Sequence, residues 1–397
     1  LYDVGNSAFV MLSTALIPVY FASIADPGSS VVVAWGYAET VASLVLALLM
    51  PVLGSLADLA GNKKKFLVGF AGTGAVACAT LGVPEHALAF LVVYVIAAIM
   101  LNGSMVFYDA FLVDATTEER YDKVSSHGYA WGYIGSCIPF IACLAVVLGG
   151  SSFGIDAKLG MKIAFIITAV WWVIFTVPVA KNVKQLHGKK RSDHVLRTTI
   201  SGLKGTVKSI MKDKRLLFFM LAFFFYIDGV HTVIKMSTSY GTDLGIDSTQ
   251  LVLALLVTQF VAFPSAIAYG NLAKRFGTKR MLKVGVLAYF FIVLFAAFFL
   301  KSAVEFWILA ICVGLFQGGI QALSRSEYGK LIPKERANEY YGFFDIFGKY
   351  AAVMGTFLVS AFTQLTGSSS LGVLSIALLF IVGYLFLRAM PPMLGDS

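Results

Sequence analysis

Two stretches decide the fold: GSLADLAGNKKK at residues 54–65 and GNLAKRFGTKRM at residues 270–281. Gly54, Leu56, Ala57, Gly61 and Lys63 recur as Gly270, Leu272, Ala273, Gly277 and Lys279, all at an offset of 216 residues. Each copy follows the second long apolar run of its half and ends in basic residues. The chain therefore reads as two parallel repeats of one unit.

Working outward from these copies, apolar runs broken by Gly, Pro and charges predict twelve membrane-spanning helices. They fall near 2–24, 31–56, 65–83, 87–112, 128–149, 160–180, 216–240, 249–270, 281–300, 304–325, 340–363 and 370–389. The long polar insertion at 181–215 splits them into two sets of six. The expected architecture is an all-α polytopic membrane protein, with a six-helix bundle over 1–180, a basic linker over 181–215 and a second bundle over 216–397. Composition agrees, because 58% of residues are apolar and 13% charged, against about 45–50% and 25% in soluble domains.

Eleven basic residues lie in 181–215, and most of the other Lys and Arg fall in loops on the same side of the predicted spans. Short basic loops stay on the cytoplasmic side, so both termini are expected there. The net charge of +9 is then a topology signal, and no nucleic-acid partner is expected. Residue 1 is Leu, so native residues are expected before it, and the opening stretch has neither the charged leader nor the cleavage site of a signal peptide. Cys78, Cys137, Cys143 and Cys312 sit inside apolar runs without metal-ligand or disulfide spacing. No metal is expected, and no cofactor or enzymatic activity either. The G-x-x-G-x-G at Gly69–Gly74 lies within an apolar span with no strand before it, where small residues serve helix packing.

The two loops resemble the signature of the major facilitator superfamily, carried in the first copy by Gly54, Asp58, Gly61, Lys63 and Lys64. Leu59 replaces the usual basic residue after the acid, and Lys274 stands where the second acid would be. Four longer stretches are similar to the vacuole-effluxer-like family, the autophagy-related amino-acid effluxers, within that superfamily. They are YDVGNSAF at Tyr2–Phe9, YIDGVHTVIKMSTSYG at Tyr226–Gly241, GGIQALSRS at Gly318–Ser326 and LIPKERANEYYGFFDIFGK at Leu331–Lys349. The chain departs from that pattern at Val4-Gly5, Ile227 and His231. The resemblance implies passage of a small solute, such as an amino acid, across a membrane by alternating access.

Charges inside a membrane span cost about 2.5–3.5 kcal/mol on insertion scales and usually mark a pathway. Asp228, His231, Thr232 and Lys235 share one face of the seventh span. A carboxylate and an ammonium on one face suit a zwitterionic solute, and an imidazole titrates in the physiological range. A static Asp228–Lys235 network bridged by His231 is the alternative. Asp3, Asn6 and Ser7 line one side of the first span, where capping or packing is the alternative. Asn102 and Asp109 share a face of the fourth span, and Gln317, Gln321 and Arg325 a face of the tenth, where interhelical hydrogen bonding is the alternative for the glutamines. Asp109 and Arg325, at the 216-residue offset, are expected to form a gating pair. Glu39 is a candidate coupling carboxylate, with a partner for Lys235 or a polar vestibule residue as the alternative. Asp345 and Lys349 sit four apart, as a gating pair or a local ion pair.

The expected function is secondary active transport of a small polar or zwitterionic solute, coupled to protons, by a monomer whose other partners are membrane lipids. A bacterial inner membrane or a eukaryotic vacuolar membrane would house it. A lipid or drug exporter of the same fold, or a non-transporting membrane sensor, is the alternative.

Overall fold

The computed structural model describes residues 1–25, 31–189, 195–243 and 245–391. Among the described residues the chain is helical, with one isolated bridge between Leu59 and Lys189 in place of any strand. In chain order the helices are α1 (Tyr2–Ala15), α2 (Ile17–Ile24), α3 (Val31–Ala57), α4 (Lys63–Thr80), α5 (Ala87–Ala110), α6 (Leu112–Ala115), α7 (Tyr121–Gly149) and α8 (Ala157–Asn182). There follow α9 (Val195–Lys212), α10 (Lys214–Asp243), α11 (Ser248–Phe276), α12 (Thr278–Phe299), α13 (Ala303–Leu331), α14 (Ala337–Thr366), α15 (Ser369–Ser375) and α16 (Ala377–Ala389). Nine of the described helical stretches are long and apolar enough to cross a bilayer, and the bent pair α1–α2 brings the number to ten. With α4 and α14 they fill the twelve expected places, two sets of six on either side of α9.

Three features differ from the sequence reading. The first span is broken at Leu16, where α1 and α2 meet at 46°. Pro18 stands at the start of α2, and a proline there has no N–H for the preceding turn. Helices α7 and α13 run beyond the apolar runs, beginning at Tyr121 and ending at Leu331. Their polar extensions hold each other, since Ser326 and Lys330 of α13 both donate to Asp122 of α7. The linker, read from the sequence as one long polar and basic insertion, contains α9.

By contacts the chain forms two compact units, the first made of residues 1–115, 131–195 and 335–342, the second of 116–130, 196–334 and 343–397. In the first, Trp172 is fully buried and stacks on Phe9 at 5.8 Å, and Gly74 leaves room for its indole. In the second, Phe344 stacks on Phe223 at 3.9 Å and on Tyr328 at 4.5 Å. Large apolar side chains such as Leu48, Leu88 and Phe298 remain exposed, as on helices whose surroundings are lipid. In such surroundings helix association rests on close packing and internal hydrogen bonds.

Candidate functional site

In the first unit the stripe on α1 is turned inward. Asp3 and Asn6 are buried. Tyr108 of α5 donates to Asp3 Oδ2 at 2.9 Å, Asn6 Nδ2 to Asp3 Oδ1 at 3.5 Å, and Ser7 Oγ to Asn6 Oδ1 at 3.3 Å. A Cβ on Gly132 of α7 would lie 3.0 Å from Asp3 Cβ and 3.1 Å from Ser7 Oγ, so this glycine lets the two helices touch. Asn102 is half-buried and donates to Ala98 O of its own helix at 2.8 Å. Glu39 accepts a short hydrogen bond from Tyr94, whose ring lies 4.3 Å from that of Trp35.

In the second unit Asp228 and Thr232 of α10 are fully buried. Asp228 Oδ1 accepts from Thr232 Oγ1 at 3.2 Å and from the Gly355 amide of α14 at 2.9 Å. Asp228 Oδ2 is buried without a hydrogen bond among the described residues. His231 is half-buried and Lys235 exposed, so the four polar groups of this helix face meet different surroundings. Gln317, buried, lines an apolar cleft with Val233, Leu251, Phe306 and Leu309, and Gln321 is half-buried. Arg325 is buried, donating from Nε to Ser125 Oγ at 2.8 Å and from Nη2 to Ser125 O at 2.9 Å, with its guanidinium 4.5 Å from the Tyr129 ring. Asp109 belongs to the first unit and is half-buried. Asp345 is half-buried, whereas the side chain of Lys349 lies outside the described residues.

The two units share one internal device. Tyr2 donates to Ser104 Oγ at 2.5 Å, and Tyr226 bonds Ser324 Oγ at 2.6 Å. Three residues after each tyrosine, Gly5 packs on Trp172 and Phe175 of α8, and Gly229 on the Phe380 ring of α16. In each set of six the same Tyr-x-x-Gly thus fastens the first helix twice, the tyrosine to the fourth helix (α5 or α13) and the glycine to the last (α8 or α16).

At the signature loop, Gly61 and Gly277 adopt left-handed φ of 82° and 87°, the region glycine enters without strain. Asp58 is buried and accepts from the Asn338 amide at 2.8 Å, Asn338 Nδ2 at 2.8 Å and the Glu339 amide at 3.0 Å. These amides are the unpaired donors at the start of α14, where negative charge is stabilised. Burial nevertheless pushes the Asp58 carboxyl up to about 6, with Lys63 and these hydrogen bonds pulling the other way. Lys63, itself buried, donates to Asp114 Oδ2 at 2.6 Å and to Ala110 O at 3.2 Å, and Lys64 donates to Ala180 O at 2.9 Å. Residues 183–189 strap the loop. Gln185 Oε1 accepts from the amides of Gly61 and Lys63, Asp114 Oδ1 from those of Leu186 and His187, and Lys189 pairs with Glu339 at 2.7 Å.

The second copy is built on Asp122, which accepts from Thr278 at 2.7 Å, Ser326 at 2.5 Å and Lys330 at 2.7 Å. Glu327, buried, lies 3.4 Å from Arg215 and 3.9 Å from Lys330. The sequence reading missed Gln185, Asp114, Asp122, Lys330, Asn338 and Glu339. The 216-residue offset held a signal for four of them, since it relates Asp114 to Lys330 and Asp122 to Asn338.

Two sets of six helices, each with a glycine-turned basic loop after its second member, define a multi-pass membrane transporter of the major facilitator type. The chain belongs to the family described as vacuole effluxer Atg22 like, whose model matches residues 18–392. It is 45% identical to an uncharacterized MFS-type transporter, YxiO, of Bacillus subtilis (strain 168), over 98% of this chain and 93% of that protein. Autophagy-related protein 22 of Cryptococcus neoformans var. neoformans serotype D (strain JEC21 / ATCC MYA-565) is 26% identical over 66% of this chain and 48% of its own length. The chain thus spans about half of that fungal relative. The fold is also that of FucP, a Major Facilitator Superfamily transporter solved in the outward conformation, with a TM-score of 0.73 at 13% identity over 99% of this chain and 97% of that one. Proteins of this family and fold are transporters and not enzymes.

Proposed function

We propose that the chain is a secondary active transporter that moves a small zwitterionic, amino-acid-like solute by alternating access, coupled to protons. The observation that carries this reading is the face of α10. Asp228 Oδ2 has no hydrogen-bond partner among the described residues, and the imidazole of His231 and the exposed ammonium of Lys235 follow it on the same helix. An ammonium would meet Asp228, a carboxylate would meet Lys235, and His231 would carry the coupled proton. Asn6, Ser7 and Asn102 would line the pathway in the first unit and Thr232, Gln317 and Gln321 in the second, with Asp3 serving coupling or gating. Asp109 and Arg325 would gate it, together with Asp345 and Lys349, and Glu39 would serve coupling. We place both termini on the cytoplasmic side and treat the working unit as a monomer in a bacterial inner or eukaryotic vacuolar membrane.

The test is a thermal-shift screen of the purified protein against amino acids, peptides, sugars, nucleosides and apolar drugs, because a ligand stabilises by RT ln(1 + [L]/Kd). A shift with an amino acid that Lys235→Ala abolishes is the expected result. Shifts confined to apolar drugs would overturn it in favour of an exporter that uses the apolar cleft beside Gln317. His231→Gln should flatten the pH profile of uptake, and an unchanged profile would remove His231 from coupling.

A further inference from the structure

We propose that α9 is an interfacial helix that binds the anionic headgroups of the membrane the protein spans. Its last three turns, Leu203–Lys212, sort their side chains sharply. Thr206 and Ile210, four apart, are buried. Val207 and Met211, one position further round, are 42% and 65% exposed. Lys204 and Lys208 precede these two by three residues each, so they lie beside them on the helix surface, and Lys212 extends the same row. All three lysines are exposed, and none has an ion-pair partner among the described residues.

The chain fixes the depth of this surface. Only Asp213 separates α9 from α10, whose apolar crossing begins at once with Leu216, Leu217, Phe218 and Phe219 after Lys214 and Arg215. The C-terminal end of α9 is therefore held where a membrane crossing starts, at the level of the headgroups. An exposed apolar edge flanked by unpaired lysines at that level matches a helix lying in the interface, with its apolar side against acyl chains and its cations among lipid phosphates. A soluble acidic protein would match the lysines and leave Val207 and Met211 against water. The anionic bilayer covers both.

The full-length protein is tested in nanodiscs of phosphatidylcholine alone and with about one third phosphatidylglycerol. A spin label is placed by Met211→Cys in a Cys312→Ala background, Cys78, Cys137 and Cys143 being buried. In anionic discs the label should become accessible to oxygen and shielded from a water-soluble nickel chelate. The combined Lys204→Gln, Lys208→Gln and Lys212→Gln variant should lose anionic-lipid enrichment, read by native mass spectrometry, by about five-fold per lysine removed. The Lys→Arg versions of the same three should retain it. A label equally open to the chelate in both discs would overturn the proposal. So would equal enrichment in the Gln and Arg variants, or shielding that a soluble acidic polypeptide provides and phosphatidylglycerol does not.

Discussion

The two signature loops occupy corresponding places in the chain and solve the same local problem with opposite charges. In the first, the loop supplies the acid: Asp58 is buried against the opening amides of α14. In the second, Lys274 stands in that place and the acid is moved to the helix start, as Asp122, which Thr278, Ser326 and Lys330 satisfy. The backbone pattern is kept, since Gly54 lies against Asn338 and Gly270 against Asp122 and Ser126. In both places a carboxylate at the loop contact is answered by donors from the elements it meets, backbone amides in the first and side chains in the second, and either partner can hold it. The repeat therefore preserves glycines and spacing while its charges change sign.

The largest expected effect separates the two acids. Asp58→Ala leaves three donors without an acceptor in a buried site, a loss of about 3 kcal/mol or more, whereas Asp122→Ala should cost about 1 kcal/mol. The reason is that Lys330 can turn to Glu327, 3.9 Å away. Thermal midpoints in detergent measure both, and equal losses would remove the asymmetry.

The second test uses pH. With its carboxyl raised from 3.8 to about 6, folded Asp58 keeps a proton that the unfolded chain has already released. Stability should therefore fall as pH rises from about 4 to 6 and level off above, by on the order of 3 kcal/mol. Asp58→Asn should lose that slope and Asp122→Asn should keep it. A slope that survives in Asp58→Asn would assign it to another group.

Third, a Cβ on Gly54 would lie 2.5 Å from the Asn338 carbonyl oxygen, which is backbone, while on Gly270 it would meet the Ser126 side chain at 2.7 Å. Gly54→Ala and Gly270→Ala should each cost about 1–3 kcal/mol, because Ser126 presents its Cβ at 2.7 Å as well and a Cβ moves only with its backbone. The smallest effect tests where the units agree: Tyr2→Phe and Tyr226→Phe should each cost about 1 kcal/mol. A large difference between them would break the symmetry of the two fastenings.

Most of the fold was legible in the sequence because bilayer crossing imposes apolar runs and the repeat imposes an offset. Gly61 and Gly277 were legible as well, as punctuation that the chain turns on. The partners of Asp58 were not, because Asn338 lies 280 residues away and nothing local to a carboxylate names the amide that will meet it. The break at Leu16 was hidden by the continuous apolarity of the first span, with Pro18 as its one visible mark. Helix α9 was missed because eleven basic residues drew the reading to charge and away from the apolar period they flank. On α10 the stripe was plain, but periodicity treats Asp228 and Lys235 alike, and only packing against Gly355 buries one and leaves the other exposed.

The strap over the first loop bears on where the protein can be divided. Residues 183–189 follow the last helix of the first set, yet Gln185, His187 and Lys189 are spent on Gly61, Lys63, Asp114 and Glu339. A gene cut at Asn182 would strip the first fragment of its own clasp and hand the second a basic leader with nothing to hold. A cut placed after Lys189 and before Val195 leaves the clasp with the fragment it closes. Co-expressed halves should assemble from the second pair and fail from the first.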